Sequence, residues 1–139
     1  MTLALNREEL TDYLAEVFPQ IRDDFAIDDL TENTITMRLL TDDRHLRPGG
    51  TVSGPSMFAL ADVAVYAMVL ARVGKKALAV TTNCSLDFMR KPEAGRDVIA
   101  HCRLLKLGRV LAVGDVLMVS DGGDKPVARA TLTYSIPPR

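Results

Sequence analysis

The chain has 139 residues, a length that suits a single domain with one hydrophobic core. Hydrophobic residues make up 47% and charged residues 25%, a composition that is typical of globular proteins and excludes fibrous and largely disordered classes. With 17 basic and 18 acidic residues the formal net charge is -1, which argues against a nucleic-acid partner, and two cysteines are too few for a disulfide framework or a Cys-rich zinc site.

The sequence shows neither a targeting segment nor a membrane-spanning segment. Its start lacks the basic residues and the apolar stretch of a signal peptide. The longest apolar segment, Met57 to Ala71, has 15 residues and contains Asp62, whereas a spanning helix needs about 18 or more nearly uncharged residues. We therefore expect a cytoplasmic protein without a membrane partner, whose Cys84 and Cys102 are small core residues in a reducing compartment.

Hydrophobic periodicity predicts two helices and six strands, without repeats or linkers. Asn6 is a candidate N-cap of the first helix, and Gly74 is expected to end the second. The last four strands are expected to form a meander, and strict alternation over 80–88 places Thr81 on the polar face of its strand. In chain order the predicted elements are helix 6–17, strands 25–28 and 34–40, a helix from Pro55 to about Arg72, and strands 80–88, 97–107, 109–120 and 126–136.

The second predicted helix is apolar on almost all sides, so the fold must enclose it. A curved antiparallel sheet wrapped around one long central helix does this in a chain of this size, which gives an α+β fold in packed layers. We expect residues 1–139 to form one domain, with 1–20 as an N-terminal helical extension. The final pair of strands is expected to offer edges for pairing with a second copy of the chain.

Asp62 gives the strongest chemical signal, because it is the only charged residue in the apolar segment 57–71. A carboxylate in such a segment is paired, protonated or functional. The functional interpretation is a general base or a nucleophile. The structural alternative is a helix register that lets the carboxylate reach a solvent gap or an arginine.

The start of the same helix, Ser53-Gly54-Pro55-Ser56, gives the second signal. Pro55 suits the first helical position, and Gly54 lets a ligand approach the backbone closely. Because Pro55 has no N–H, Gly54 and Ser56 are expected to donate to a developing negative charge, which the helix dipole also favours. An ordinary capped helix is the structural alternative.

Gly54 and Asp62 are eight residues apart, which is about 12 Å along a helix axis. One carbonyl carbon cannot contact both of them within one helix. If both act on the same carbonyl, a second subunit must bring its own copy. The sequence therefore favours a site that is shared across a dimer.

The histidines and serines give weaker signals. His45 lies in the loop before the glycines and could reach a site, whereas His101 alternates within a strand without the acidic partners of a metal ligand. Ser53 and Ser56 lack an evident histidine partner, which argues against a serine triad. We predict no metal site.

Basic residues cluster in two places, Arg90-Lys91 and Lys106 with Arg109. The second pair flanks a predicted hairpin turn. These side chains are either solvated turn charges or contacts for the phosphates of a nucleotide-bearing ligand.

The order of elements, together with GGTVSGPSMFALAD at 49–62, resembles the hotdog-fold acyl-CoA thioesterases of the phenylacetate-pathway (PaaI-like) type. That family shows an asparagine, a His-Gly-Gly stretch and an acidic residue on the central helix. The segment LDFMRKP at 86–92 and the hairpin LKLGR at 105–109 fit the same pattern. The resemblance extends over most of the chain, from about residue 20 to residue 136.

The resemblance implies a hotdog-fold hydrolase, a homodimer or homotetramer, that converts an acyl-CoA to a free acid and CoA. It implies no cofactor beyond the CoA of the substrate. Asp62 matches the family's catalytic carboxylate, which acts as base or nucleophile, and Gly54 matches the glycine whose amide polarises the thioester carbonyl. Thr81 falls where relatives have a Ser or Thr that helps to hold the water. Candidate substrate-binding residues are Arg47, Ser53, Pro55, Ser56 and Asn83, with Arg90, Lys91, Lys106 and Arg109 for the CoA phosphates.

The chain departs from the family pattern at three positions. Ser53 stands in place of the histidine, Pro55 in place of the second glycine, and Arg47 in place of the asparagine. The carboxylate and one oxyanion donor remain. The alternative function is therefore a non-catalytic acyl-CoA or lipid-like ligand-binding protein of the same fold. Enoyl-CoA hydration is disfavoured, because in relatives it uses a histidine with an acid and no histidine stands at this helix start.

Overall fold

A computed structural model describes residues 3–138 of the chain. Met1, Thr2 and Arg139, at the ends of the predicted domain 1–139, lie outside the described residues. The two helices and six strands follow the predicted order, with bounds within two residues of those predicted. They are α1 (Arg7–Val17), β1 (Phe25–Leu30), β2 (Thr34–Leu39), α2 (Gly54–Val73), β3 (Val80–Phe88), β4 (Val98–Leu107), β5 (Leu111–Ser120) and β6 (Pro126–Ser135), with single 3-10 turns at Pro19–Ile21 and Asp43–His45.

Local signals in the sequence set the ends of both helices. Asn6 accepts a hydrogen bond from the Glu9 backbone at 2.8 Å, and the Glu9 side chain accepts from the Asn6 backbone at 3.0 Å, which is a complete capping box. At the end of α2 the N–H of Gly74 donates to the Leu70 carbonyl at 2.8 Å. Gly74 has a φ of 91°, a conformation that favours glycine, so the helix ends there as predicted.

The strands form one antiparallel sheet in the order β1-β2-β4-β5-β6-β3. The predicted meander of the last four strands is therefore wrong, since only β4, β5 and β6 are consecutive neighbours. The strand β2 occupies the edge of β4 that β3 would need, and β3 pairs with β6 instead. The open edges are β1 and β3, not the final pair of strands as predicted.

A bulge near the start of β3 overturns the strict alternation predicted for 80–88. Thr81 lies opposite Tyr134 and Asn83 lies opposite Thr133, so Thr82 is an extra residue without an opposite residue on β6, and its hydroxyl donates to the Thr133 carbonyl at 3.3 Å. Because of this extra residue, Thr81 faces α2 on the inner side of the sheet, as its contact with Asp62 shows. Val80, which alternation placed on the apolar face, is 55% exposed.

The helix α2 is the core of the fold and packs against β2, β3, β4, β5 and β6. Within residues 3–138 it is the one helix long and apolar enough, by length and composition, to span a membrane. With 20 residues it is longer than the 15-residue segment counted in the sequence, and 67% of its most apolar window is buried in the fold. This is the predicted sheet wrapped around a central helix.

Cys102 is buried and Cys84 half-buried, and both are free thiols.

Candidate active site

The Asp62 carboxylate is held by two hydroxyl groups that come from neighbouring strands. Thr81 on β3 donates to Oδ1 at 2.5 Å, and Tyr134 on β6 donates to the same oxygen at 2.7 Å. The Tyr134 hydroxyl also lies 3.0 Å from the Asp62 carbonyl oxygen. Within residues 3–138 no lysine or arginine forms an ion pair with Asp62. The arginine-paired alternative from the sequence is therefore excluded.

The Asp62 carboxylate lies in the wall of a cavity of about 550 Å³ that is otherwise mainly apolar and aromatic. The rings of Tyr66 and Tyr134 stack with centroids 5.9 Å apart, and Phe18 meets Tyr66 edge-on at 6.3 Å. The segment that follows α1 therefore helps to enclose the cavity. The lining residues are Val17, Phe18, Gln20, Asp62, Val63, Tyr66, Ala77, Ala79, Val80, Thr81 and Tyr134.

Tyr134 is a member of this site that the sequence analysis missed. Its side chain is 3% exposed, and burial, together with the nearby Asp62 carboxylate, raises the pKa of its phenol. The hydroxyl therefore keeps its proton and remains a donor. The one available signal was that a tyrosine on the inner face of a strand needs a polar partner for its hydroxyl.

The start of α2 is a capped helix that keeps one amide free. Ser53 Oγ accepts from the Ser56 N–H at 3.3 Å and lies 3.0 Å from Ser56 Oγ. The expectation of two oxyanion donors is therefore wrong, because the Ser56 amide is used by the cap. Pro55 is exposed and has no N–H, and the Gly54 N–H has no protein acceptor within residues 3–138. Gly54 is the single free donor of this turn.

A second cavity, of about 400 Å³, opens at Gly54 and brings three predicted residues together there, Arg47, Arg90 and Lys91. All three cationic side chains are exposed, and none of the described residues that line this cavity carries a carboxylate. Arg90 is oriented by a hydrogen bond from its Nε to the Pro126 carbonyl at 2.9 Å. The other lining residues are Thr51, Val52, Met57, Phe88, Met89 and Pro92. The arrangement suits an anionic group next to the positive end of the helix dipole.

The remaining predicted residues lie elsewhere. Asn83 is exposed just past the bulge and lines neither cavity. Lys106 and Arg109 flank the β4–β5 turn, and Arg109 shares a third cavity of about 870 Å³ with Arg72 and Lys76 at the C-terminal end of α2. Within one chain the four residues predicted for CoA phosphates therefore do not converge.

His45 has a structural position, which disfavours the catalytic alternative. Its ring is buried, its Nδ1 accepts from the Asp42 N–H at 2.9 Å, and its Nε2 lies 3.0 Å from Asp24 Oδ1. The backbone bond thus assigns the proton to Nε2. The His45 carbonyl accepts from the Ser53 N–H at 2.8 Å, which fixes the loop that leads into α2.

Across residues 3–138 no three His, Cys, Asp or Glu side chains are grouped as metal ligands.

Comparisons with known proteins show the family and the fold of the chain. The family profile described as the thioesterase superfamily matches residues 49–127. Among curated proteins, a candidate esterase of Pseudomonas aeruginosa is 31% identical over 107 residues, which are 76% of this chain and 78% of that protein. The matched family segment contains both Gly54 and Asp62.

Solved structures share the fold. A candidate thioesterase from Silicibacter sp. TM1040 is 67% identical with a TM-score of 0.94, over 99% of this chain and 96% of that one. A mutant of the phenylacetic acid degradation protein PaaI from Thermus thermophilus is 28% identical with a TM-score of 0.73, over 86% and 99%. Zebrafish thioesterase superfamily member 2 matches with a TM-score of 0.84 at 16% identity, over 96% and 100%. These likenesses confirm the predicted α+β hotdog fold and the PaaI-like resemblance.

Proposed function

Because the chain belongs to the thioesterase superfamily, we propose that it hydrolyses the thioester of an acyl-CoA to a free acid and CoA. The observation that carries this proposal is the Asp62 carboxylate, which is fixed by two hydroxyl groups in the wall of a cavity that is otherwise lined mainly by apolar and aromatic side chains. An apolar cavity with one oriented carboxylate suits an acyl group whose carbonyl carbon must meet an activated water.

In the proposed reaction Asp62 acts as a general base. Its carboxylate takes a proton from water while the water oxygen bonds to the thioester carbon and the carbonyl oxygen becomes an oxyanion. The intermediate then reforms the carbonyl and breaks the C–S bond. The leaving CoA thiolate takes the proton from the Asp62 carboxylic acid, which restores the carboxylate. Direct attack by Asp62, giving an anhydride that water then hydrolyses, is the second route that the same geometry allows.

The proposed oxyanion donor is the Gly54 N–H of a partner subunit. This amide is free, and the dipole of α2 favours negative charge beside it. Within one chain Gly54 and Asp62 open on different cavities and are separated by about 12 Å of helix. A site shared between two subunits brings the two groups to one carbonyl.

The edge strand β3 supports a dimer. On one side it pairs with β6, and on the other side no strand covers it within residues 3–138. Apolar side chains are exposed along and beside this edge, since Leu78 is 80%, Val80 is 55% and Phe88 is 54% exposed. We propose that a second copy of the chain covers this edge, because an uncovered apolar edge invites pairing.

The substrate is proposed to place its acyl group in the Asp62 cavity and its phosphates near Arg47, Arg90 and Lys91. These three cations have no carboxylate partner within residues 3–138, so they can pair with phosphate oxygens. Lys106 and Arg109 lie at the opposite end of α2. They can contribute only if a further subunit presents them, as in a dimer of dimers.

One observation favours the alternative of a non-catalytic acyl-CoA-binding protein. Ser53 replaces the family histidine, and its hydroxyl is used by the helix cap. The start of α2 thus offers an amide but no acid or base. If the carboxylate does not activate water, the same cavities would bind the ester without hydrolysing it.

The test is free-thiol release from short, medium, long and aryl acyl-CoAs by the wild type and Asp62→Asn. The asparagine keeps an oxygen for both hydroxyl donors but cannot accept the proton of water. We expect it to lower kcat roughly 100-fold or more. The matched control is Asp12→Asn on the exposed face of α1, which should keep wild-type turnover.

Two outcomes would contradict the proposal. Wild-type turnover by Asp62→Asn would remove Asp62 from the mechanism. Saturable binding of the esters by the wild type without thiol release would establish the ligand-binding alternative.

A further inference from the structure

The two oxygens of the Asp62 carboxylate have different surroundings. Both hydroxyl donors, from Thr81 and Tyr134, bond to Oδ1. Within residues 3–138 no donor bonds to Oδ2. A carboxylate oxygen accepts about two hydrogen bonds, so the acceptor sites of Oδ1 are filled by the protein. The structure thus leaves Oδ2 as the oxygen that is free for a water.

The Tyr134 side chain is rigidly placed. It is 3% exposed and stacks on Tyr66, whose own hydroxyl donates to the Ala77 carbonyl at 2.7 Å. Its backbone lies directly opposite Thr81 in the sheet, so the register of β3 and β6 presents both hydroxyls to the same point. The single phenol proton goes to Oδ1 in the shorter contact of 2.7 Å, and the phenol oxygen also lies 3.0 Å from the carbonyl oxygen of Asp62.

The donors keep their protons, so the arrangement does not depend on their titration. Burial is the main cause that raises the pKa of Tyr134, of Tyr66 and of Cys84, and the nearby Asp62 carboxylate adds to it for Tyr134 and Cys84. These are the titratable groups that face Asp62 from β6, α2 and β3. The rest of the described cavity wall carries no charged side chain. Asp62 is therefore the one acidic or basic side chain among the described residues of the cavity wall.

We propose that Tyr134 is a positioning residue which, with Thr81, occupies Oδ1 of Asp62 and directs Oδ2 toward the attacking water. The inference rests on the proposed function. The proton of water goes to Oδ2 as the water oxygen bonds to the thioester carbon, and it leaves with the CoA thiolate when the C–S bond breaks. Without the phenol hydroxyl the carboxylate is free to rotate, and its ionised form loses a hydrogen bond.

The test is Tyr134→Phe, which keeps the stacked ring and removes the hydroxyl. We expect kcat to fall roughly 10- to 100-fold, the size of the effect of a lost hydrogen bond to a charged group, with KM within about twofold. The acid limb of the kcat–pH profile should move to higher pH, because the hydroxyl stabilises the ionised form of the carboxylate. A purely structural role would not move that limb.

Two further variants make the result specific. Tyr13→Phe removes the phenol hydroxyl of a largely buried tyrosine outside the cavity and should leave kcat and the pH profile unchanged. Thr81→Val removes the second donor, and Thr81→Ser restores it. If the two hydroxyls act on one oxygen, Thr81→Val and Tyr134→Phe should combine non-additively. Thermal unfolding of each variant separates a folding defect from a loss of turnover.

The outcomes separate this inference from the proposed function. Wild-type kcat and pH profile in Tyr134→Phe, while Asp62→Asn is inactive, would overturn the positioning role alone. No thiol release by the wild type would overturn the proposed function and the positioning role with it. A lowered kcat with a shifted acid limb in Tyr134→Phe, and neither change in Tyr13→Phe, would support it.

Discussion

The ring of Phe88 lies against Gly54, so that a methyl group built on Gly54 would stand 3.1 Å from Phe88 Cζ. The last residue of β3 therefore covers the first residue of α2, next to the one free amide of the helix start. A small side chain at position 54 would displace the Phe88 ring. A branched side chain there would also cover the N–H of residue 54.

This contact offers a test of the shared site by subunit complementation. Gly54→Val should block the oxyanion donor and Asp62→Asn the base, and each variant alone should be nearly inactive. In a shared site, mixing the two restores one intact site per hybrid dimer, which is about a quarter of the wild-type sites after random exchange. The measurement is thiol release after the subunits are unfolded and refolded together.

A site built within one subunit gives the opposite result. Every chain of the mixture would then carry a defect, and activity would not return. Refolding each variant alone in the same way is the control for recovery from the denaturant.

Neutralising Arg47, Arg90 and Lys91 together, each to Gln, should raise KM for an acyl-CoA by about 10-fold or more, because charge-assisted bonds to phosphate are lost. The KM for the matching acyl-pantetheine thioester, which lacks the nucleotide phosphates, should stay within about twofold. Lys125→Gln on the exposed β5–β6 turn is the matched control. An equal rise in KM for both substrates would contradict a role of these three side chains in binding the nucleotide phosphates.

Gly114 on β5 packs directly against α2. A Cβ atom there would lie 2.9 Å from Val65 Cγ2 and 3.0 Å from Val65 Cγ1, in a fully buried part of α2. We therefore expect Gly114→Ala to lower the free energy of unfolding by about 1–3 kcal/mol. Urea unfolding measures this change in the free energy of unfolding. In a Val65→Ala background Gly114→Ala should lower the free energy of unfolding by less. An equal cost in both backgrounds would exclude this contact as the cause.

Arg38 on β2 joins three carboxylates, with ion-pair distances of 3.1 Å to Asp28, 3.0 Å to Asp97 and 2.8 Å to Asp121. The bond from Arg38 lowers the pKa of Asp121 in the folded chain. Because the pKa of Asp121 is lower in the folded chain than in the unfolded chain, the unfolded chain binds more protons in acid. The contribution of this ion pair to the free energy of unfolding is therefore present above the unfolded pKa of about 3.9. It is lost as the pH falls through the folded pKa.

Arg38→Met should therefore destabilise the fold at pH 7 by about 1 kcal/mol, and the difference should shrink below about pH 4. Urea unfolding at several pH values measures this. Arg22→Met, whose guanidinium is exposed and 3.9 Å from Asp23, is the control and should have little effect at any pH. A deficit of the same size at pH 3 and pH 7 would show that packing, not charge, explains the loss.

The sequence predicted what depends on local signals. The Asn6 cap, the end of α2 at Gly74 and the isolated Asp62 are each visible within a few residues of chain. The pairing of β3 with β6 is not, because it depends on which edge β2 leaves free. Tyr134 was missed for the same reason, since its partner Asp62 is 72 residues away and a tyrosine on an inner face looks like any core aromatic.

The bulge explains a second kind of error. Alternation predicts Thr81 on the polar face of its strand, because it counts residues and takes no account of an unpaired one, whereas the bulge turns Thr81 toward Asp62. Lys106 and Arg109 were grouped with Arg90 and Lys91 by charge alone. Nothing in their spacing shows that the β4–β5 turn lies at the opposite end of α2 from Gly54.

The bulge in β3 also affects how the sheet can grow. The free edge of β3 is regular only over 83–88, which is about 20 Å of strand. Its two ends are unlike, with an irregular backbone at Thr82 and the ring of Phe88 turned onto Gly54. A strand added at this edge finds few registers in which all its peptide groups pair, so open-ended stacking of chains is disfavoured. We therefore expect the same extra residue that turns Thr81 toward Asp62 to limit the registers in which a second copy can pair with this edge.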